Sequence, residues 1–351
     1  MADLLEIDGL SVTFATPDGT VRAADEVSFT VRAGEIFCLV GESGSGKSVV
    51  CRTVLGLTRA ANASYSGAIR LDGQDLLTLS DRQLRRIRGG QIALVPQDPM
   101  TALNPVQRVG RQIAEQIRAH EGGVSAGEAK DRAVQLMTRV SIPQAQTRAN
   151  AFPHELSGGM RQRVLIAMAL SCSPRLVIAD EPTTALDVSI QAQILAEMAQ
   201  LCRETSVALL LVTHDFGVVA QMADRVAVMY AGRVVEEADV TQLFSDPQHP
   251  YTWGLLGSVP RLDRPRSARL PAIAGSAPSV LRPTEECDFG PRCPHRFAAC
   301  QSVPPLTASV PEEPTHQDRC WLPLADKRSQ RGRAGGFGLF PAGTDQRGGG
   351  A

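Results

Sequence analysis

Aromatic residues make up only 4% of the chain, with two tryptophans and three tyrosines among its 351 residues. So small a supply argues against a stacking platform for single-stranded nucleic acid. An excess of charge of either sign is missing as well. Thirty-six basic residues face 37 acidic ones, for a net charge of −1, and no overall electrostatic bias favours a polyanion such as DNA or RNA. No apolar run reaches the roughly 18–20 residues that a membrane-spanning helix needs. "VALLLVT" (207–213) is of strand length and meets His214 and Asp215 at once. The start, "MADLLEIDGL", carries acids and no basic segment, which predicts no signal peptide. No internal repeat is found. These absences predict a protein of the cytoplasm or of the cytoplasmic side of a larger assembly, with length for about two domains.

What is present is a loop with almost no side chains. "GESGSGKS", residues 41–48, fits G-x-x-x-x-G-K-S/T, with Gly41, Gly46, Lys47 and Ser48 at the fixed positions. Its glycines let backbone N–H groups converge on phosphate oxygens, and the helix expected to start near Lys47 adds its positive end. Lys47 then reaches the β- and γ-phosphates, and the Ser48 hydroxyl takes a place on Mg²⁺. "EIFCLV" before the loop reads as a buried strand and "SVVCRTVLGL" after it as a helix, which is the context this chemistry requires. The loop predicts a nucleoside triphosphate.

Residues 3–37 alternate apolar with polar and carry a "TPDG" turn at 16–19, which predicts an antiparallel strand layer. From residue 35 onward, apolar strand-length runs alternate with helical stretches. That pattern predicts an α/β fold with a largely parallel sheet and ligand at the strand carboxyl ends. Between "VPQDP" (95–99) and "LVIADE" (176–181) helical spacing takes over, as in "VGRQIAEQIRAH" and "AKDRAVQLMTRV". A helical subdomain over about 100–175 is the expectation. Prolines multiply after Tyr251, and from about 326 the chain turns Gly-, Arg- and Ser-rich, which predicts disorder.

"LVIADEP" ends an apolar strand in two carboxylates. Asp180 is placed to hold Mg²⁺, and Glu181 to polarise the water that attacks the γ-phosphate. "ELSGGMRQRVLIAMAL" (155–170) is a second glycine turn that opens a helix, with Ser157, Gly158 and Gly159 at its start. One intramolecular site has no use for two phosphate-grade turns. Two copies packed head to tail would use both, each turn facing the other copy's loop.

Taken together, these stretches resemble the ATP-binding cassette family. "GESGSGKS" looks like its phosphate loop, which implies ATP contacts from Gly41, Glu42, Ser43, Gly44, Ser45, Gly46, Lys47 and Ser48. Gln97 in "VPQDP" looks like its glutamine loop, with Mg²⁺ held through Ser48, Gln97 and Asp180. "LSGGM" (Leu156, Ser157, Gly158, Gly159, Met160) resembles the signature that acts in trans, "ALD" the loop whose Asp187 contacts the partner, and His214 in "VTHD" the switch histidine. Phe14 falls where the family stacks an aromatic ring on adenine. Catalysis is implied for Glu181 and His214. Met160 replaces the more usual glutamine of the signature, while Ser157 and Gly159 are intact.

"VPQDPMTALNP", "IADEPTTALDVSIQAQIL" and "HPYTWGLLGSVP" sharpen the likeness to ATPase subunits of oligopeptide and dipeptide importers, over roughly residues 4–325. The resemblance implies a P-loop ATPase domain over 1–258: a mixed sheet with an antiparallel layer and an inserted helical subdomain. An importer-type extension follows at 259–325, then a disordered tail at 326–351. It implies two transmembrane permease subunits docking near Gln97, a second ATPase subunit, identical or homologous, and an extracytoplasmic solute-binding protein. It also implies a place on the cytoplasmic face of the membrane and no nucleic acid. Peptides are the expected cargo, with glutathione or nickel complexes as the alternative. A soluble cassette protein acting on nucleic acid or ribosomes is the rival class, set against the single cassette and the balanced charge.

The eight cysteines divide unevenly. Cys38, Cys51, Cys172 and Cys202 are scattered through apolar or helical stretches, whereas Cys287, Cys293, Cys300 and Cys320 crowd together near the end. In a reducing compartment such crowding points to metal rather than disulfides. Four thiolates suit Zn²⁺ or an iron–sulfur cluster, with His295 and His316 as alternative ligands. The resemblance to peptide-importer ATPases implies a 4Fe–4S cluster.

Overall fold

The alternating stretch at the N-terminus folds as a hairpin. β1 (Asp3–Thr16) and β2 (Gly19–Arg32) pair antiparallel around Pro17 and Asp18. Leu5, Ile7, Leu10 and Val12 face inward, while Asp8 is exposed. A computed structural model describes residues 3–183, 188–259, 273–276 and 285–333. β3 (Ile36–Val40) leaves the first layer for a second and runs through the glycine loop into α1 (Lys47–Val54). β4 (Ala63–Leu71) and β5 (Gln74–Asp75) return and complete a four-stranded sheet of order β2-β1-β4-β5. α2 (Asp81–Ile87) follows, held at its start by a capping box between Ser80 and Gln83.

β6 (Ile92–Val95) leads into the helical insert: α3 (Pro99–Ala102), α4 (Val109–His120), α5 (Ala126–Arg139), α6 (Ala145–Arg148) and α7 (Gly158–Leu170). Ile113 and Ile117 of α4, Ala129, Ala133 and Met137 of α5 and Val164 of α7 are fully buried in one core that continues into the sheet. β7 (Leu176–Asp180), α8 (Val188–Glu204), β8 (Ala208–Thr213), α9 (Phe216–Met222), β9 (Arg225–Tyr230) and β10 (Arg233–Asp239) resume the alternation. Strands β3, β7, β8 and β9 are buried at every residue. Both of their faces are covered, which is why they read as continuous apolar runs.

α10 (Val240–Ser245) and α11 (Pro250–Gly257) lead to the extension, which contributes β11 (Thr307–Ala308), β12 (Gln317–Asp318) and α12 (Leu324–Arg333). The large sheet has the order β11-β12-β10-β9-β3-β8-β7-β6. Its strands from β6 to β9 run parallel, and the pairs beyond β9 are antiparallel. Disorder expected from residue 326 is corrected here, because α12 continues to Arg333. Lys327 is buried and donates to Asp318 Oδ2 at 2.5 Å and to Ser309 Oγ at 2.7 Å. Residues 334–351 of the expected tail lie outside the described residues.

Buried ion pairs join the layers. Arg225 on β9 bonds Glu35 at 3.1 Å and also pairs with Glu237 on β10. Arg233 on β10 reaches Asp25 on β2 at 2.6 Å. Glu236, fully buried, accepts from the amides of Gln248 (2.6 Å) and His249 (2.9 Å) and lies 2.8 Å from His316 Nε2 of the extension. Burial alone would lower the His316 pKa, yet the Glu236 carboxylate holds it above the ordinary value.

His249 caps α11, its Nδ1 accepting the Tyr251 amide at 3.1 Å, and burial pulls its pKa from 6.5 to about 4. The unfolded chain therefore takes up a proton that the folded chain refuses. Acidification from pH 6.5 towards pH 4 destabilises the fold through this residue. His249→Asn keeps a cap acceptor and removes the titration. Denaturant melts across that range should show the variant losing less stability than wild type, the gap approaching about 3 kcal/mol at pH 4.

Candidate nucleotide site

The glycine loop occupies the carboxyl end of β3, between that strand and α1. Gly41, Gly44 and Gly46 all have positive φ, and Gly46 at 100° caps α1. Lys47 is only 4% exposed. Its Nζ donates to the carbonyls of Gly41 and Glu42, each at 2.8 Å, and to Ser45 Oγ at 3.3 Å. Burial pulls the lysine pKa below its ordinary value, and the carboxylates of Glu181, Asp180 and Glu42 oppose that shift. The ammonium thus closes the loop on itself.

β3, β8, β7 and β6 are successive neighbours in the large sheet, and five expected site residues stand at their carboxyl ends. They are Gly41 after β3, His214 after β8, Asp180 and Glu181 at β7, and Gln97 after β6. Such a row of strand ends is where parallel sheets bind ligands. Ser48 Oγ donates to Asp180 Oδ1 at 2.7 Å, and Arg52 Nε lies 3.5 Å from the other carboxylate oxygen. A hydroxyl and a carboxylate in contact are hard oxygen donors that fit Mg²⁺. Glu181 Oε2 lies 3.7 Å from His214 Nδ1. The Glu181 backbone is left-handed, at φ 46°, a conformation that costs roughly 1–3 kcal/mol in a non-glycine residue. The amide of this residue donates to Val212 O of β8 at 3.1 Å, which holds the left-handed turn in place.

Other expected residues lie apart from this group. Phe14 is half-buried on β1, in the antiparallel layer. Gln97, the last of the strand-end row, is exposed in a bend where β6 gives way to the insert and makes no hydrogen bond with the Ser48–Asp180 pair. The second glycine turn caps α7, with Ser157 Oγ accepting the Met160 amide at 3.3 Å and Leu156 buried behind it. Asp187 lies outside the described residues.

A profile described as "ABC transporter" matches residues 24–184, and one described as "Oligopeptide/dipeptide transporter, C-terminal region" matches residues 235–300. The "Oligopeptide transport ATP-binding protein OppD" of Salmonella typhimurium is 49% identical over 88% of this chain and 91% of its own length. The "Dipeptide transport ATP-binding protein DppD" of Bacillus subtilis is 46% identical over 94% and 97%. The chain belongs to the ABC transporter family. It carries that family's ATPase cassette. Among solved structures, the dimeric cassette MJ0796 bound to ADP and Pi is similar, with a TM-score of 0.61 and 27% identity over 67% of this chain and 98% of that one. The cbiO1 cassette of Clostridium perfringens gives 0.59 and 26%, over 70% and 92%.

Beside the cassette, the extension brings its cysteines near one another. The amide of Cys287 donates to Cys300 O at 3.0 Å. Burial pushes the Cys293 thiol up to about 11 and Cys320 up to about 12, and neighbouring thiols add to both shifts. Still, among the described residues no three His, Cys, Asp or Glu side chains form a group that could hold a metal ion. The expected four-sulfur site is therefore not formed as a ligand set in this structure. His316 is engaged with Glu236 and His295 packs edge-on against Trp253. Both alternative ligands have other partners. Sequence reading missed Tyr251, whose hydroxyl accepts the Glu42 amide at 2.9 Å, and Arg292, which pairs with the Glu42 carboxylate. "PYTW" and "GPRCP" carry no local sign of these long-range contacts.

Lys47→Ala removes the ammonium facing the phosphates. Direct titration with a fluorescent ATP analogue should show affinity weakened by about 100-fold or more.

Proposed function

We propose that the chain is the ATP-hydrolysing subunit that energises an importer of peptides. The observation that carries this reading is the Glu181–His214 pair beside the phosphate loop, in a cassette 49% identical to an oligopeptide transport ATP-binding protein. In the reading, residues 41–48 and Lys47 hold the ATP phosphates, and Phe14 contacts the adenine. Ser48, Gln97 and Asp180 hold Mg²⁺, which offsets phosphate charge when bound. Glu181 accepts the proton of the attacking water, and His214, 3.7 Å away, holds that carboxylate in place.

Two cassettes would face each other, each supplying Leu156–Met160 to the other's nucleotide and meeting near Asp187. A similar cassette solved as a dimer with ADP and Pi supports that arrangement. Permease subunits would dock beside Gln97, which stands where the sheet passes into the helical insert. A solute-binding protein on the far side would select the cargo. The cassette would then work at the cytoplasmic face of a membrane. Among the described residues no helix is long and apolar enough to cross one. The chain would divide into the cassette, 1–258, and an extension from 259.

Cys287, Cys293, Cys300 and Cys320 would hold a 4Fe–4S cluster in that extension, or Zn²⁺ in its place. Support comes from the sulfur donor set and from the backbone bond that joins Cys287 to Cys300. Protein purified without oxygen should contain iron and sulfide in equal amounts and absorb in the visible. Stoichiometric zinc in a colourless protein would replace the cluster, and neither metal would end the assignment.

Glu181→Gln keeps the carboxylate's shape without its basicity. It should retain ATP while phosphate release falls by roughly 100-fold or more, and size-exclusion chromatography with ATP should show a trapped dimer. Wild-type turnover in this variant would remove Glu181 from catalysis.

A further inference from the structure

Glu42 stands inside the phosphate loop, where its charge opposes the binding of a polyanion. Arg292, in the extension turn Gly290–Arg292, meets it with a two-pronged pair: one guanidinium nitrogen is 2.7 Å from Oε2 and the other 3.0 Å from Oε1. The Arg292 side chain is 7% exposed. Its remaining contacts fix its position. Nε donates to Ala274 O at 3.0 Å, and the guanidinium carbon lies 5.8 Å from the ring centre of Tyr230. Tyr230, Tyr251 and Phe289 pack against one another around this point. On the loop side, the Glu42 amide donates to Tyr251 Oη and the Glu42 carbonyl accepts from Lys47 Nζ. A continuous chain of polar contacts thus runs from the extension through Glu42 to the phosphate-binding lysine.

We propose that Arg292 is a positioning residue of the nucleotide site, neutralising and orienting Glu42 so that the loop accepts a nucleoside triphosphate. The proposal rests on the ATP-site reading given above. A fork-shaped guanidinium does both tasks at once, because it matches the two carboxylate oxygens and keeps its charge at every working pH. Without it, an uncompensated carboxylate would sit against the triphosphate, and the carbonyl that holds Lys47 would lose its anchor.

The test measures Mg·ATP affinity and steady-state ATPase kinetics on the full chain for wild type, Arg292→Ala, Glu42→Gln and the double variant. Arg292→Ala should weaken affinity about tenfold and raise KM with much less change in kcat. Adding Glu42→Gln should restore most of the loss, since the unpaired charge is then gone. A double variant as weak as Arg292→Ala alone would overturn the proposal, because Arg292 would then act only through its backbone contacts in the extension. Unchanged affinity in Arg292→Ala would overturn it as well. Should that variant fail to fold, Arg292→Lys, which keeps the charge without the fork, is compared with and without Glu42→Gln under the same criteria. Wild-type protein that binds no ATP would instead overturn the ATP-site reading.

Discussion

A Cβ atom at Gly46 would stand 2.3 Å from the carbonyl oxygen of Ala23, and one at Gly41 would stand 2.2 Å from that of Met229. Real side chains do not approach backbone so closely, so the phosphate loop can lie where it does only with glycine at both positions. Its two walls belong to different sheets: Ala23 is on β2, and Met229 is on β9. The loop is a wedge between layers. Backbone bonds complete the wedge, with Gly232 N donating to Ser45 O at 3.0 Å and Asp25 N to Gly232 O at 2.9 Å.

It follows that the site is only as well placed as the docking of one sheet on the other. Apolar burial supplies most of the attraction between layers, but it is indifferent to small slides. Arg225 with Glu35 and Glu237, and Arg233 with Asp25, are directional. Buried pairs of this kind add little net stability, because desolvation consumes much of their attraction. Here they act on alignment: Arg233 with Asp25 ties the antiparallel layer to β10 beside the loop, and Arg225 braces the opposite, amino end of β9. The parallel strands then take over the remaining positions. Because β3, β8, β7 and β6 are neighbours, their carboxyl ends deliver glycines, imidazole, carboxylates and amide in a row, without any long loop having to reach across.

The parts of the site legible in the sequence are those where chemistry demands contiguous residues. A backbone cradle must be built from one short segment, so residues 41–48 announce themselves. A carboxylate pair at the end of an apolar strand is equally local. The helical insert was visible because its buried positions recur with helical spacing. Contacts between distant segments left no such trace. Arg292 and Glu42 are 250 residues apart, and nothing near either predicts the other. Histidines beside cysteines suggested metal, yet His316 is spent on Glu236, a carboxylate in a strand far upstream. Lys327 sits in a stretch whose composition reads as solvated, and only the tertiary partner Asp318 explains its burial. The left-handed backbone of Glu181 is likewise a product of β7 meeting β8, since its residue type favours no such conformation.

The outer strands of the large sheet have a consequence for biosynthesis. β12 pairs with β10, and β11 pairs with β12, so the edge of the cassette's main sheet is closed by residues near the end of the chain. A ribosome delivers β10 long before its neighbour. During that interval β10 presents unpaired backbone groups, the feature by which strands recruit foreign strands and aggregate. Glu236, on the same strand, would meanwhile wait without its imidazole partner. Nascent chains stalled after α11 would therefore carry nearly all of the nucleotide machinery on a sheet with an open flank. They are the species that chaperones and proteases would be expected to find first.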